Sequence, residues 1–193
     1  MSLPEKNLAV ANPQKSRFYP IIRTIVIEPD TRLATNLSYI LSAHDLTDIV
    51  CNTHSVESAL TYFEKEHEYR WPELIFISAK LSHTDLLWSL QRFKAINPQL
   101  KIIVLGPFRP YAELMALFKA GLCAYLGPHT QDPLIRYSVL LVCYEKHYCL
   151  HLPFAKTALC VIAQSHLEIL RFDGEFNFNP ELWNSRLHQR SHF

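Results

Sequence analysis

A serine ends an apolar run near the middle of the chain, and a histidine and an aspartate follow it closely. The run is residues 74–77, the serine is Ser78, and His83 and Asp85 come next. Serine, histidine and aspartate are the residue types of a nucleophilic triad. A nucleophile elbow needs small residues beside the serine so that the turn is sharp, and Ile-Ser-Ala-Lys contains no glycine. We therefore predict a serine that bonds to local backbone groups, and no enzymatic activity.

Other apolar runs also end in residues that could form part of a site. Glu28, Pro29 and Asp30 follow the first run, Gly106 follows the fourth, and Gly127, Pro128 and His129 follow the fifth. Ligands of open parallel sheets bind at the carboxyl ends of the strands, so these positions outline a candidate crevice. The chain has only four glycines and contains neither GxGxxG nor GxxxxGK(S/T). Nucleotide binding of the Rossmann or P-loop kind is therefore excluded, and no cofactor is predicted.

Histidine and cysteine occur together in the segment HYCLH, which contains His147, Cys149 and His151. Further along, His188 and His192 lie four residues apart. Zinc uses these ligand types, but a structural zinc site normally brings two properly spaced pairs together. The second pair here lacks cysteine, so we predict solvated or hydrogen-bonded histidines and no metal site.

The crevice residues need strands to position them, and the chain offers five short apolar runs. They are TIVIEPD, TDIVCNT, ELIFIS, KIIVLG and CAYLG. Continuous apolar runs of this length are typical of strands covered on both faces. Segments with helical spacing separate them, and their predicted core positions are Leu33, Leu37, Ile40, Leu41, Val56, Leu60, Phe63, Leu86, Leu87, Leu90, Phe93, Leu114 and Leu117. This alternation predicts an α/β fold: a five-stranded parallel sheet with right-handed crossovers and helices on both faces.

Boundary signals support the last two helices of this series. Pro110 lies near the start of the fourth helix, and Gly121 lies just past its end. Asp132 followed by Pro133 predicts an N-cap and a first-turn proline for the fifth.

The domain organisation follows from where this rhythm begins and stops. We predict a flexible N-terminal arm over residues 1–21, one domain over 22–147, and a C-terminal extension over 148–193. In the extension, residues 153–167 are predicted to form one more helix. Asp173 and Gly174 predict a hairpin turn, and Asn179 with Pro180 predicts the start of a short final helix.

Composition narrows the class of protein. Apolar residues make up 49% of the chain and charged residues 19%, as in folded globular proteins. The formal net charge of +1 gives no general attraction to nucleic acid or to an anionic membrane.

Five cysteines, an odd number with several inside apolar runs, predict reduced thiols. No apolar stretch has the length of a signal peptide core or a membrane span, so we predict a cytoplasmic protein without membrane contact.

Over residues 22–147 the chain resembles the receiver domain of bacterial response regulators, a CheY-like, flavodoxin-like fold. The resemblance rests on the acid in IVIEPD, the third strand LIFIS with Asp85 seven residues on, IIVLG, and FKAGLCAYLGP. The continuation YEKHYCLHLP is similar to the stretch that follows the receiver in LuxR/NarL-type regulators, although no helix-turn-helix is visible in residues 148–193.

The departures from the family pattern predict a degenerate phosphoacceptor pocket. The resemblance places Ser78 where the family has its phosphoaccepting aspartate, and Pro29 where it has a second Mg²⁺-binding acid beside Glu28. Gly106 replaces a hydroxyl residue, and the invariant lysine falls on Pro128, or on Gly127 if the loop is one residue shorter. Asp30 could replace the missing second acid, which restores one of four roles.

The resemblance also implies a face for partners around the fourth helix. Phe108 and Tyr111 add aromatic surface there, and Tyr125 occupies the position that changes rotamer in typical receivers. Two interpretations of Tyr125 stay open, a packed core residue and a switching residue. We predict a pseudo-receiver of two-component signalling that acts by protein–protein contact without phosphorylation, with a homodimer as one form of that contact.

Two alternatives remain open from the sequence. The first is an atypical response regulator that controls transcription through DNA binding by the C-terminal extension. The second is a sensor that binds a small ligand or a metal in the vestigial crevice, at Glu28, Ser78 and His129.

Overall fold

Five strand–helix repeats run from Ile22 to Cys143, and three further strands follow. The computed structural model describes residues 20–78, 80, 82–107, 109–144, 148–151, 158–163 and 166–171. The strands are β1 Ile22–Ile27, β2 Thr47–Thr53, β3 Leu74–Ser78, β4 Lys101–Leu105, β5 Ala124–Leu126, β6 Tyr148–His151, β7 Ala158–Ala163 and β8 His166–Arg171. The helices are α1 Thr31–Ser42, α2 Val56–Lys65, α3 His83–Ile96, α4 Tyr111–Lys119 and α5 Asp132–Cys143. Short 3₁₀ turns lie at Ala43–Asp45 and Glu68–Arg70.

The first five strands form a parallel sheet in the order β2-β1-β3-β4-β5. The predicted five-stranded parallel α/β sheet is therefore confirmed. The order reverses between β1 and β3, which is where open sheets of this kind form a crevice.

Alternate residues of the strands enter two separate apolar cores, one on each face of the sheet. Val26, Phe76 and Ile103 pack with residues of α1 and α5. On the other face, Ile25 and Ile77 pack with residues of α2, α3 and α4. Because both faces are covered, the central strands are apolar throughout, as their sequences indicate.

Two details of the helices differ from the sequence prediction. Leu33 is 48% exposed, because Ala34 and Leu37 occupy the buried face of the first turns of α1 and Leu33 lies beside that face. The cap expected at Asp132 falls on Gln131, one residue earlier.

The glycine predicted beyond α4 is confirmed: Gly121 follows the C-cap of α4 and has a φ of +104°. No helix in the described part of the chain has the length and apolarity that a membrane crossing requires.

The C-terminal extension continues the sheet. β6 pairs with β5 in parallel, β7 pairs with β6 antiparallel, and β8 pairs with β7 antiparallel, which gives an eight-stranded sheet. The helix predicted over residues 153–167 is wrong where the structure describes it, since residues 158–163 form β7. The sequence Ala-Leu-Cys-Val-Ile-Ala is short and contains β-branched residues, and the free edge of β6 provides a template for pairing.

The remaining predictions for the ends of the chain concern residues outside the described ranges. These are residues 1–19 of the arm predicted over 1–21, the hairpin turn at Asp173 and Gly174, and the final helix after Asn179. A hairpin does occur earlier, between β7 and β8.

Candidate functional site

The predicted crevice residues lie together at the carboxyl edge of the parallel sheet. Ile27, the last residue of β1, is in register with Ile77 of β3, and Ser78 is in register with Leu105 of β4. Leu105 is in turn in register with Leu126, the last residue of β5. The residues that follow β1, β4 and β5 therefore border the same edge as Ser78.

Glu28 is a buried carboxylate directly after β1, with only 2% of its surface exposed. Its Oε1 accepts a hydrogen bond from the backbone N–H of Asp30 at 2.8 Å. Its backbone is also fixed, because its N–H donates to the carbonyl of Thr53 and its carbonyl lies 3.3 Å from Nδ1 of His54. Glu28 thus contributes a positioned negative charge to the floor of the crevice.

Asp30 caps helix α1 instead of joining Glu28 as a free ligand. Its Oδ1 accepts hydrogen bonds from the N–H groups of Arg32 and Leu33, at 2.9 and 3.2 Å. These backbone hydrogen bonds, the one from Leu33 above all, hold the pKa of Asp30 below its ordinary value, with help from the charges of Lys80 and Arg32. Only Oδ2 of Asp30 faces the crevice cation described next.

Lys80 supplies a cation to the crevice, and it is a site residue that the sequence does not predict. Its Nζ lies 3.4 Å from Oε1 of Glu28 and 4.0 Å from Oδ2 of Asp30. The N–H of Lys80 donates to the carbonyl of Ser78 at 3.0 Å, which ties Lys80 to the end of β3. The sequence shows only a lysine two residues beyond the end of an apolar strand, which does not distinguish it from a solvated loop lysine.

Ser78 is the last residue of β3 and is 9% exposed. The acid of the triad pattern serves another purpose: Ser82 donates its hydroxyl to the Asp85 carboxylate at 2.6 Å and accepts from the Asp85 N–H at 3.1 Å. This reciprocal pair caps the start of α3. Asp85 is therefore committed to the helix end and does not orient a base toward Ser78.

The loops after β4 and β5 contribute backbone groups. The N–H of buried Gly106 donates to the carbonyl of Leu126 at 2.9 Å. The carbonyl of Gly127 accepts from both the N–H and the hydroxyl of Thr130, at 3.1 and 2.8 Å. Pro29, Pro128 and His129 are exposed at the rim. Neither Gly106 nor Pro128 has a hydroxyl or amine that could contact a bound anion.

Tyr125 is a buried core residue in this structure. Its surface is 1% exposed, and its ring belongs to the apolar core on the α2, α3 and α4 face. Its hydroxyl donates to the carbonyl of Pro107 at 2.5 Å. Burial raises the pKa of Tyr125, and the nearby Arg109 guanidinium opposes that rise. Two other aromatic residues are predicted for a partner face. Phe108 and the side chain of Tyr111 both lie outside what the structure describes.

The described residues gather no set of three or more histidine, cysteine or acidic side chains that could hold a metal ion. Within the HYCLH segment, Cys149 is fully buried in the core between the sheet and α5, and burial raises its pKa. A thiol must lose its proton to bind a metal, so this environment disfavours binding. His147, His188, His192 and the side chain of His151 lie outside the described part of the chain.

Burial acts in the same direction on two of the other described thiols. Burial raises the pKa of Cys143 to about 12 and raises the pKa of Cys51. Cys51, Cys123, Cys143 and Cys149 are all free thiols.

Comparison with known proteins identifies the fold. No family model matches the chain, and no curated protein matches it by sequence. Among solved structures, a LuxR-family two-component response regulator from Aurantimonas sp. SI85-9A1 has a TM-score of 0.59 at 9% identity, over 69% of this chain and 91% of that one. The isolated receiver domain of RcsB from Salmonella enterica serovar Typhimurium, solved with the phosphomimetic BeF3-, has a TM-score of 0.54 at 12% identity, over 66% and 90%.

A third similar structure is the pilus assembly protein CpaE from Caulobacter crescentus CB15. Its TM-score is 0.53 at 17% identity, over 62% of this chain and 92% of that one. At these identities the similarity establishes the fold alone, which is the CheY-like fold of response-regulator receiver domains.

Proposed function

We propose that this chain is a pseudo-receiver, a signalling or regulatory module that acts through protein–protein contact in the cytoplasm and does not depend on phosphorylation. The contact between Lys80 and Glu28 carries this proposal. Two carboxylates in one crevice repel each other and favour a bound cation. Here the ammonium group of Lys80 supplies that positive charge from the chain itself. A divalent ion would therefore have to displace this ammonium group, which is covalently attached to the chain.

The acceptor chemistry is missing as well. An acyl phosphate forms on a carboxylate, and Ser78 offers a hydroxyl with no described base placed to activate it. Gly106 and Pro128 have no side-chain hydroxyl or amine to bind the oxygens of a phosphoryl group, and the N–H of Gly106 already donates to Leu126. A phosphate would therefore find neither an acceptor nor a relay to the helices.

Lys80 also makes the crevice a poor ligand pocket, which counts against the alternative of a metal or small-ligand sensor. The internal ion pair already compensates the charge of Glu28, and Asp30 is engaged in capping α1. A protein described as a pilus assembly protein has the same fold, so the fold is not confined to proteins described as response regulators.

The first experiment tests phosphorylation directly. The full chain is incubated with acetyl phosphate and Mg²⁺ and its intact mass is measured, with the RcsB receiver domain as the positive control. We expect the control to gain a phosphoryl group and this chain to keep its mass. A phosphate adduct on this chain that is lost at mildly alkaline pH would overturn the proposal. BeF3⁻ with Mg²⁺ provides a second readout, because it should raise the Tm of the control alone.

The second experiment addresses the partner. The chain is used as bait in an extract of its native host, and bound proteins are identified by mass spectrometry and then tested as purified proteins. Direct binding of a purified protein, at equal affinity with and without acetyl phosphate, supports contact without phosphorylation. Fluorescence anisotropy with duplex DNA tests the competing function: binding with a steep salt dependence would favour a DNA-binding regulator.

A further inference from the structure

The loop between β4 and α4 is tied to both of its neighbours by polar contacts of buried and partly buried side chains. The Tyr125 hydroxyl, which comes from β5, donates to the carbonyl of Pro107 in this loop at 2.5 Å. Two residues on, the side chain of Arg109 is only 11% exposed and lies 3.3 Å from Oε2 of Glu113 in the first turn of α4. The loop is thus joined to β5 through Tyr125 and to α4 through Arg109.

These contacts depend on one another for electrostatic reasons. A largely buried guanidinium is stable only where a carboxylate and hydrogen-bond acceptors compensate it. The Glu113 carboxylate provides that charge, and it lies near the positive end of the α4 dipole, which stabilises it further. The guanidinium also lies close enough to the Tyr125 hydroxyl to influence its ionisation. Removing one member therefore leaves the others less well compensated in a partly buried environment.

We propose that Tyr125, Arg109 and Glu113 form a conformational lock that holds the N-terminal end of α4 against β5 in a single arrangement without any ligand. This inference rests on the proposed function and deepens it: the lock supplies a permanently formed α4 surface to a protein partner. It explains how a receiver fold could present one fixed surface when its crevice carries no phosphate signal.

A competing explanation is that apolar packing alone holds α4 in place. Leu117 of α4 is fully buried, and Leu114 and Phe118 pack against the same core. If packing alone were sufficient, removing a hydroxyl or a charge from the lock would leave the first turn of α4 unchanged. The two explanations differ in how the amides of that turn exchange with solvent.

The test is amide hydrogen exchange on the full chain, followed in a peptide that covers residues 109–119. The amide of Leu114, which donates to the carbonyl of Pro110 at 3.1 Å, belongs to the first turn of α4. The variants are Tyr125→Phe, Glu113→Gln and Arg109→Lys, of which the last keeps the charge and loses the planar fork. The matched control is Glu57→Gln, which changes the first-turn glutamate of α2.

We expect Tyr125→Phe and Glu113→Gln to speed exchange in this peptide about tenfold, as for an opening step made easier by the loss of one hydrogen bond or one charge-assisted contact. Glu57→Gln should change it less than about twofold. The double variant should exchange no faster than the faster single variant, because both break the same unit. Exchange over β3 serves as an internal reference, so that global destabilisation is recognised and subtracted.

Unchanged exchange in residues 109–119 for both Tyr125→Phe and Glu113→Gln would overturn the lock. Additive effects in the double variant would overturn the coupling between its members. The phosphorylation experiment has an independent outcome: a chain that stays unmodified but shows no lock keeps the pseudo-receiver proposal, and a chain that becomes phosphorylated loses that proposal whatever the exchange data show.

Discussion

Lys94 lies directly across the backbone of Gly121. A Cβ atom on residue 121 would stand 2.6 Å from Cε and 2.9 Å from Cγ of Lys94. The ammonium of Lys94 donates to the carbonyls of Leu100 and Pro98, at 2.6 and 3.3 Å. The side chain therefore links the end of α3, the start of β4 and the turn after α4, on the face of the sheet opposite α1 and α5.

Gly121→Ala should destabilise the protein. The φ of +104° lies in a region that residues with a Cβ rarely adopt, and strain of this kind costs about 1–3 kcal/mol. Urea unfolding measures the change in free energy. The same substitution in a Lys94→Ala background separates the two causes: backbone strain predicts that most of the loss persists, since the lysine chain is flexible. A neutral Gly121→Ala in both backgrounds would contradict the strained conformation.

The capping role of Asp30 predicts a pH dependence. Because the folded pKa of Asp30 is lowered, its charge stabilises the folded state above the ordinary value of 3.8 and this contribution disappears as the pH falls through the lowered folded value. Asp30→Asn keeps a capping oxygen and removes the charge. We expect a lower Tm than that of the unmodified chain at neutral pH, and a difference that shrinks in acid below the ordinary pKa. A difference that grows in acid would contradict this sign.

The α/β alternation could be predicted from the sequence because each parallel strand is covered on both faces and therefore forms a continuous apolar run. Phe76 and Ile77 illustrate this, since they enter opposite cores and are both fully buried. Gly121 was equally predictable, because a left-handed residue after a helix is a local requirement. These features depend on short stretches of sequence.

The parts that could not be predicted depend on distant partners. Residues 158–163 suit a helix or a strand by composition, and the free edge of β6 decides between them. The same holds for Lys80, whose role depends on the contact of its ammonium with Glu28, some fifty residues earlier in the sequence. Loop lysines are usually solvated, so nothing local distinguishes this one.

If Lys80 replaces a bound cation, then removing it should make the crevice responsive to Mg²⁺. Lys80→Ala leaves Glu28 buried with an uncompensated charge, and we expect a loss of about 1 kcal/mol at neutral pH, since the pair is partly solvent-screened. Millimolar Mg²⁺ should raise the Tm of the variant and leave the unmodified chain unchanged. Lys65→Ala, an exposed lysine at the end of α2, is the control. Equal responses to Mg²⁺ in Lys80→Ala and the unmodified chain would contradict the idea.

The extension should be part of the folded domain, because β6 continues the sheet from β5. Cys149 is fully buried, its N–H donates to the carbonyl of Cys123 at 3.0 Å, and β6 covers an edge of β5 that would otherwise be free. Truncation after residue 147 should therefore lower the free energy of unfolding by roughly 2 kcal/mol from lost apolar burial. The exposed edge should also cause self-association, which light scattering after gel filtration detects.

Deletion of residues 172–193 alone keeps β6–β8 and separates the effect of these strands from that of the residues beyond them. A truncated chain that stays monomeric and as stable as the full chain would mean that the three added strands are an independent appendage.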